Sequence, residues 1–251
     1  EKKFEAAVIE QLIEYGWEKQ VLPYPTEKDL IRNWANILFN NNRQQDVLND
    51  CPLTDGEMAQ IMEQIIRLHT PVKLNDFING KSVGIKRDNQ DDKQNFGKEV
   101  SLKIYDRREI AYGQSRYQIV QQPQFKTAQR LNDRRGDLML LINGMPVIHI
   151  ELKKSGISVS NAYNQIEKYA HEGVFTGLYS LVQVFVAMEP AETVYFANPG
   201  PDGVFNKSFY FHWADFDNVP YSDWQDVVKY LLNIPMAHEL IGYYTIPDAK
   251  D

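Results

Sequence analysis

The sequence has little of three features that would each indicate a class of protein. Cys51 is the only cysteine, so no internal disulfide can form, and no cysteine or histidine cluster has the spacing of zinc ligands. The longest apolar runs, such as residues 138–142 and 182–188, are far shorter than the roughly 20 residues that a membrane-spanning helix needs. The opening residues include no apolar signal stretch. We therefore expect a protein of the reducing cytoplasm that has no membrane partner and is neither a zinc protein nor a cysteine hydrolase.

Positive charge is also scarce. The chain has 27 lysines and arginines against 34 aspartates and glutamates, which gives a net charge of -7. Proteins that coat nucleic acid usually show a basic footprint, so this composition speaks against that class. It does not exclude a nuclease, because a metal site needs carboxylates and a domain of a larger assembly can leave most phosphate contacts to its partners.

A nucleotide-binding phosphate loop is missing as well. No segment matches Gly-x-x-x-x-Gly-Lys-Ser/Thr, the pattern whose backbone amides surround the phosphates of ATP. Gly80-Lys81-Ser82 resembles the end of this pattern, but Asn75 occupies the position of its first glycine. We expect that this chain does not bind ATP.

Hydrophobic periodicity divides the chain into a mainly helical first part and a β-rich second part. Apolar residues at helical spacing predict an opening helix that ends near Gly16, and further helices over 27–40 and 54–68. The β-rich runs lie at 100–106, 116–122, 137–142, 146–153, 181–188 and 193–197. A helical segment over 160–171 separates the fourth run from the fifth, as in a mixed sheet with a crossover helix. The predicted fold class is α/β, with a mixed central sheet flanked by helices.

The same patterns predict the domain organisation. One main domain covers residues 1–219, with its helical part at about 1–98 and its sheet at about 99–200. Residues 220–251 form a helical segment with two amphipathic helices, 223–232 and 236–244. A chain with 43% hydrophobic residues is long enough to bury a substantial core in such a domain.

Charged residues flank a predicted hairpin near the middle of the chain. Asn143-Gly144 lies between two apolar runs, which is a strong signal for a hairpin turn. Asp137 precedes the first run, whereas Glu151 and Lys153 close the second. The three charged residues therefore lie near the open end of one hairpin.

The pairing of the two strands decides whether these charges meet. A strict two-residue loop would pair Asp137 with Ile150 and leave Glu151 on the opposite face. A three-residue loop or a single bulge pairs Asp137 with Glu151 instead, and we predict this looser connection. Alternation then divides the second strand into one face with Ile148, Ile150 and Leu152 and another with His149, Glu151 and Lys153.

Carboxylates placed in this way suit a hard divalent cation. Asp137 and Glu151 would supply oxygen ligands for one or two Mg²⁺ ions, with the backbone carbonyl of Leu152 as a further ligand. Such an ion lowers the pKa of a bound water and stabilises charge on a phosphate. Lys153 would orient or help deprotonate the attacking water, or neutralise charge in the transition state.

An ordinary cluster of ion pairs at the sheet edge is the alternative. An acidic residue two positions before a lysine is a common pattern and occurs at four places in this sequence. The position of Glu151 and Lys153 separates them from the other three, because charges at the end of an apolar strand are costly unless they are paired or bind a metal.

At these residues the sequence resembles the N-terminal domain of the restriction subunit of type I restriction enzymes, which belongs to the PD-(D/E)xK nuclease superfamily. The resemblance rests on the run from Asp137 through Asn143-Gly144 to Glu151-Leu152-Lys153, and it is densest over 115–200. A strand with Gln-x-Phe at 117–125 precedes this run, and a Gln-x-x-x-Tyr helix at 161–169 follows it. Gly136 departs from the pattern, which has proline before the aspartate.

The resemblance implies a restriction-endonuclease-like fold and cleavage of unmethylated foreign double-stranded DNA. The partners it implies are a methylase subunit and a specificity subunit, and the full-length subunit would also hydrolyse ATP to translocate DNA. Residues 220–251 would then be a linker toward motor domains that lie outside this chain. Two alternatives stay open: a stand-alone repair or recombination nuclease of the same superfamily, and a catalytically silent module that binds DNA or docks on a complex.

Several further residues are candidates for the same site. Gln165 and Tyr169 lie four apart on a helix and share a face, so they would position Lys153, a water or the DNA backbone. Glu5 lies on the apolar side of the first helix, where a carboxylate is unusual unless it faces a metal or a cation; Glu1 and Glu10 are its rivals. A lone strand histidine such as His149 is more often a packing residue. Lys154, Arg107-Arg108 and Arg134-Arg135 are candidate phosphate contacts, and the alternative for each is a solvated surface charge.

Overall fold

A computed structural model describes residues 2–109, 115–126 and 134–245. The helices are α1 (Lys2–Glu14), α2 (Glu27–Asn42), α3 (Asp55–Ile66), α4 (Pro71–Asn79), α5 (Ser160–His171), α6 (Trp224–Tyr230) and α7 (Met236–Glu239). The strands are β1 (Leu22–Pro23), β2 (Ser82–Lys86), β3 (Glu99–Lys103), β4 (Tyr117–Gln121), β5 (Gln124–Phe125), β6 (Arg134–Arg135), β7 (Leu138–Ile142), β8 (Met145–Leu152), β9 (Val184–Glu189) and β10 (Glu192–Ala197). None of the helices in these ranges is long and apolar enough to cross a membrane.

The centre of the molecule is a mixed sheet of six strands in the order β1-β4-β7-β8-β9-β10. The pairs β1/β4 and β8/β9 are parallel, and the remaining neighbours are antiparallel. Helix α5 is the crossover between the parallel strands β8 and β9, and it packs on both. Every residue of β7, β8 and β9 is buried, as expected of strands covered on both faces. The predicted mixed sheet with flanking helices is confirmed.

The first part of the chain is less purely helical than its periodicity predicted. Strand β2 lies in this part and pairs with β3, so the run predicted over 100–106 forms a separate two-stranded sheet instead of joining the central one. Helix α4 was also missed, although Thr70 caps it and Pro71 opens it. The alternation in Ser82–Lys86 is short and contains Gly84, which weakens the β pattern.

The closing segment packs against the rest of the molecule. Trp17 donates its indole N–H to the carbonyl of Leu232 at 2.6 Å, and the rings of Phe4 and Trp224 meet edge to face. His238 is fully buried and its Nδ1 lies 2.9 Å from the hydroxyl of Tyr117. The described part of 220–251 therefore contributes to the core, while its role as a linker stays a prediction.

A buried cation ties the first part of the chain together. Arg87 is 1% exposed, with Nη1 at 2.6 Å from Glu57 Oε2 and Nε at 2.9 Å from Asp92 Oδ2. Its other nitrogen donates to the carbonyl of Cys51 at 2.8 Å. One guanidinium thus binds two carboxylates and a backbone carbonyl that come from separate segments of the chain.

We expect Arg87→Met to lower the free energy of unfolding by about 3–5 kcal/mol, because it leaves two buried carboxylates without their cation. The matched control is Arg43→Met, which breaks an exposed pair with Asp50 and should cost less than about 1 kcal/mol. Urea unfolding followed by tryptophan fluorescence measures both values. Equal losses in the two variants would contradict a structural role for the Arg87 network.

Candidate active site at the β7–β8 hairpin

The hairpin turn has the conformation that its sequence predicted. Asn143 and Gly144 both have positive φ angles, 52° and 85°, and Ile142 pairs directly with Met145 across this two-residue turn. The turn is held against α2, since a Cβ on Gly144 would lie 2.9 Å from Trp34 Cα. The position of the turn is therefore fixed by packing as well as by backbone conformation.

A bulge in β8 then changes the register. Leu141 pairs with Pro146, but Leu140 pairs with Ile148, so one residue of β8 has no counterpart on β7. The pairing continues to Leu138 and Ile150, which brings Asp137 beside the end of β8 that carries Glu151. Asp137 Oδ2 accepts a hydrogen bond from the backbone N–H of Leu152 at 2.7 Å. The prediction of a looser connection is confirmed, and its form is the bulge, not a longer loop.

Glu151 and Lys153 meet on one face of β8, as alternation predicted. The Lys153 ammonium lies 3.4 Å from Glu151 Oε1 and 3.1 Å from the carbonyl oxygen of Leu152. Glu151 is 1% exposed, whereas the side chain of Lys153 keeps 14% of its surface exposed. The ammonium is therefore the part of this pair that a substrate can reach.

Helix α5 places Gln165 and Tyr169, both predicted from the sequence, beside Glu151 and Lys153. Gln165 accepts a hydrogen bond from Lys153 Nζ at 2.8 Å, and its amide donates to Glu151 Oε1 and to the Tyr169 hydroxyl. Tyr169 in turn donates to the backbone carbonyl of Arg135 at 3.0 Å. The helix bounds match the prediction, and the two residues do share a face toward the hairpin.

Burial and like charge shape the electrostatics of the pair of carboxylates. Burial, with the charge of Glu151 as the next cause, raises the pKa of Asp137 to about 8. The Leu152 N–H and the Lys153 charge oppose this change but are weaker. Burial likewise raises the pKa of the Tyr169 hydroxyl, so this group stays a neutral donor. One lysine against two carboxylates leaves the site short of positive charge.

The donor set fits a hard divalent cation. The Glu151 and Leu152 oxygens already converge on one positive group, the Lys153 ammonium, and Asp137 is bonded to the N–H of Leu152. Carboxylate and carbonyl oxygens are the ligands that Mg²⁺ uses, and Mg²⁺ keeps several waters besides. Within the described ranges, no group of three or more acidic, histidine or cysteine side chains could enclose an ion. A cation here would thus need waters or phosphate oxygens to complete its shell.

Glu5 lies close to this site, on the far side of a glutamine that contacts Asp137. It is buried on α1, where it accepts hydrogen bonds from Gln121 at 2.6 Å and from Gln122 at 3.1 Å. The backbone N–H of Gln122 donates to the carbonyl of Asp137 at 2.7 Å, so one glutamine separates Glu5 from Asp137. A role for Glu5 stays a prediction. Glu10 is exposed, and Glu1 lies outside the described residues.

The basic residues that the sequence offered as phosphate contacts differ in their surroundings. Arg134 forms an ion pair with Glu172 at 2.7 Å, and Arg107 stacks on Tyr243 in the C-terminal segment. Arg135 is exposed next to the site, with its guanidinium 5.7 Å from the ring centre of Tyr24. Arg135 is therefore placed at the rim of the site with its charge exposed, and Lys154, which follows Lys153, is exposed as well.

The sequence did not reveal why glycine precedes Asp137. A Cβ on Gly136 would lie 2.6 Å from His149 Cε1 and 3.0 Å from the ring of Phe125. His149 is fully buried, and burial lowers its pKa to about 4, so the imidazole is neutral. Its Nε2 lies 3.5 Å from Glu151 Oε2. Alternation along β8 placed His149 on this face, but the contact across the hairpin depends on the bulge.

Comparison with known proteins identifies the family. The family model described as "Type I restriction enzyme R protein N terminus" matches residues 1–203. The "Type I restriction enzyme SsaAORF53P endonuclease subunit" of Staphylococcus saprophyticus is 31% identical over 98% of this chain, and a Staphylococcus aureus (strain MSSA476) subunit, SauMSSORF170P, is 28% identical over all of it. The EcoprrI endonuclease subunit of Escherichia coli is also 28% identical over the whole chain.

The share of each relative that is matched differs. The chain spans 24% and 25% of the two staphylococcal subunits and 75% of the Escherichia coli subunit. The match of the family model covers most of the chain, including the hairpin, α5 and the first helix. The chain belongs to the family of type I restriction enzyme R protein N termini.

Proposed function

We propose that this chain is the Mg²⁺-dependent endonuclease domain of a type I restriction enzyme and that it hydrolyses phosphodiesters of double-stranded DNA. The observation that carries the proposal is the convergence of Asp137, Glu151 and Lys153 at the end of one hairpin. Two carboxylates and a lysine in this arrangement are what a restriction-endonuclease-like PD-(D/E)xK site requires. The names of the relatives, which are endonuclease subunits, support the same function.

The contacts of each residue suggest its role in the proposed reaction. Asp137, Glu151 and the Leu152 carbonyl would hold Mg²⁺. Bound Mg²⁺ supplies an activated water and neutralises charge on the scissile phosphate. The backbone N–H of Leu152 fixes Asp137 Oδ2, so this carboxylate keeps its orientation before substrate arrives.

Lys153 is the group placed to act on the substrate. Its ammonium donates hydrogen bonds to three acceptors, the Glu151 carboxylate, the Leu152 carbonyl and the Gln165 amide oxygen, which fix its position. A charged ammonium at this position orients the attacking water or neutralises the developing charge of the phosphate. Gln165 and Tyr169 act as positioning residues, because they hold Lys153 and Glu151 from the side of α5.

The activity belongs to a larger protein in this proposal. The full-length subunit would hydrolyse ATP to translocate DNA and would act in the cytoplasm with methylase and specificity subunits on unmethylated foreign DNA. The specificity subunit would supply sequence recognition, which agrees with a nuclease chain of net charge -7 that leaves most phosphate contacts to its partners.

The decisive variant is Lys153→Ala in the full-length subunit assembled with its methylase and specificity partners. We expect DNA cleavage in Mg²⁺ to fall by about 100-fold or more, because a charge aimed at the reacting phosphate is lost. ATP hydrolysis should stay at the wild-type level, since this chain has no phosphate loop and Lys153 would act only on the DNA. Gel analysis of a circular DNA substrate measures cleavage, and phosphate release measures ATP hydrolysis.

Lys168→Ala is the matched control, because Lys168 is an exposed lysine on α5 that lies outside the cluster. It should cleave DNA at nearly the wild-type rate. Cleavage retained by Lys153→Ala would mean that the nuclease site lies elsewhere and that this domain docks or regulates.

Gln165→Ala tests the contribution of α5. We expect a loss of about 10-fold to 100-fold in cleavage, smaller than that of Lys153→Ala, because a supporting hydrogen bond is lost and the ammonium remains. Asn164→Ala is the control, since Asn164 is exposed on the same helix and contacts Lys207 instead. A Gln165→Ala variant as active as Asn164→Ala would remove Gln165 from the proposed site.

A further inference from the structure

His149 is a polar side chain in an apolar place that the proposed mechanism does not use. It is fully buried at the inner end of the site, two residues before Glu151 on the same face of β8. Its ring is surrounded by the rings of Phe125, Phe175 and Phe185, with centroid distances of 6.0, 5.3 and 6.3 Å. A phenylalanine or methionine would fill this space equally well, so packing alone does not explain an imidazole.

The ring nitrogens of His149 have few groups to bond. A neutral imidazole always carries one N–H, and a buried N–H that stays unbonded costs about 1–3 kcal/mol. Neither ring nitrogen forms a hydrogen bond of normal geometry within the described residues. Two acceptors lie near the ring: the Glu151 carboxylate, whose Oε2 is 3.5 Å from Nε2, and the backbone carbonyl of Leu138 on β7.

The Glu151 carboxylate is approached from two sides. Lys153 and Gln165 both donate to its Oε1, whereas His149 faces its Oε2. A carboxylate that receives donors on both oxygens cannot rotate about its terminal bond without losing one of them. With His149 as the second donor, the orientation of the carboxylate toward Lys153 would be set by the hairpin itself as well as by α5.

Gly136 makes this placement of the ring possible. A Cβ at position 136 would lie 2.6 Å from His149 Cε1, so any larger residue displaces the imidazole or the β7 end of the hairpin. Gly136 directly precedes Asp137, so the imidazole lies against the chain at the end of the hairpin that carries this carboxylate.

We propose that His149 donates its Nε2–H to Glu151 Oε2 and is a positioning residue that fixes the orientation of this carboxylate. The inference rests on the proposed function, since it assigns a role within the same site. It commits to one tautomer, with the proton on Nε2, and to the carboxylate as the acceptor in place of the Leu138 carbonyl.

The test compares His149→Gln with His149→Met in the full-length subunit with its partner subunits. Gln and Met have similar length and volume, and the Gln side chain puts an N–H the same number of bonds from the backbone as His Nε2 does. We expect His149→Met to cleave DNA about 10-fold to 100-fold more slowly and to need more Mg²⁺ for half-maximal cleavage, as losses of supporting hydrogen bonds commonly do. His149→Gln should stay close to the wild type in both quantities.

Thermal unfolding separates this role from packing. If both variants lose cleavage equally, or if both keep it, the inference is overturned, because the donor then makes no difference. A loss confined to His149→Met, with similar unfolding temperatures for the two variants, is the expected result.

Gly136→Ala gives a second test, because the added methyl group displaces the imidazole without removing it. We expect it to slow cleavage in the wild-type background and to have a smaller further effect in His149→Met, since the imidazole at 2.6 Å is absent there and the wider contact with the Phe125 ring at 3.0 Å remains. Full cleavage by Gly136→Ala, or equal additional losses in both backgrounds, would contradict the role of His149.

Lys153→Ala in the same assay distinguishes the two levels of the proposal. If Lys153→Ala abolishes cleavage and His149→Met does not impair it, the inference about His149 alone fails. If Lys153→Ala cleaves normally, the proposed nuclease site fails, and the role of His149 fails with it.

Discussion

The single unpaired residue in β8 is the feature on which the site depends. Without this bulge, the two-residue turn at Asn143-Gly144 would pair Asp137 with Ile150 and send the two carboxylates to opposite faces of the sheet. With it, Asp137 bonds to the N–H of Leu152 and lies beside Glu151. The bulge interrupts the regular pairing within a fully buried strand, and it places two buried carboxyl groups so close that the charge of Glu151 helps to raise the pKa of Asp137.

The surroundings of this pair reduce that repulsion only in part. Lys153 contributes one positive charge, and Gln165 bridges Lys153 and Glu151 through both ends of its amide. Even with Lys153 and Gln165 in place, the pKa of Asp137 is raised, first by burial and then by the charge of Glu151. A carboxylate pair of this kind would suit a divalent ion, which would complete the charge balance together with a substrate phosphate.

Much of this arrangement was predictable from the sequence, and the rest depended on contacts between distant segments. Alternation and the Asn-Gly turn gave the hairpin, the shared face of Glu151 and Lys153, and the helix that carries Gln165 and Tyr169. Strand β2 was not predicted, because five residues with an internal glycine form a strand through pairing with β3 more than through their own pattern. The contact of His149 with the space at Gly136 requires the register of β7 and β8, which the sequence left open between a longer loop and a bulge.

The central claim is that Asp137 and Glu151 share one metal ion. Anomalous diffraction from crystals of the full-length subunit with DNA and Mn²⁺ in place of Mg²⁺ tests it most directly. The account predicts a peak within about 2–2.6 Å of an oxygen of each carboxylate, with the Leu152 carbonyl at a similar distance and Lys153 beside the bound phosphate. At saturating Mn²⁺, a peak bound to other residues, or none at this hairpin, would contradict it.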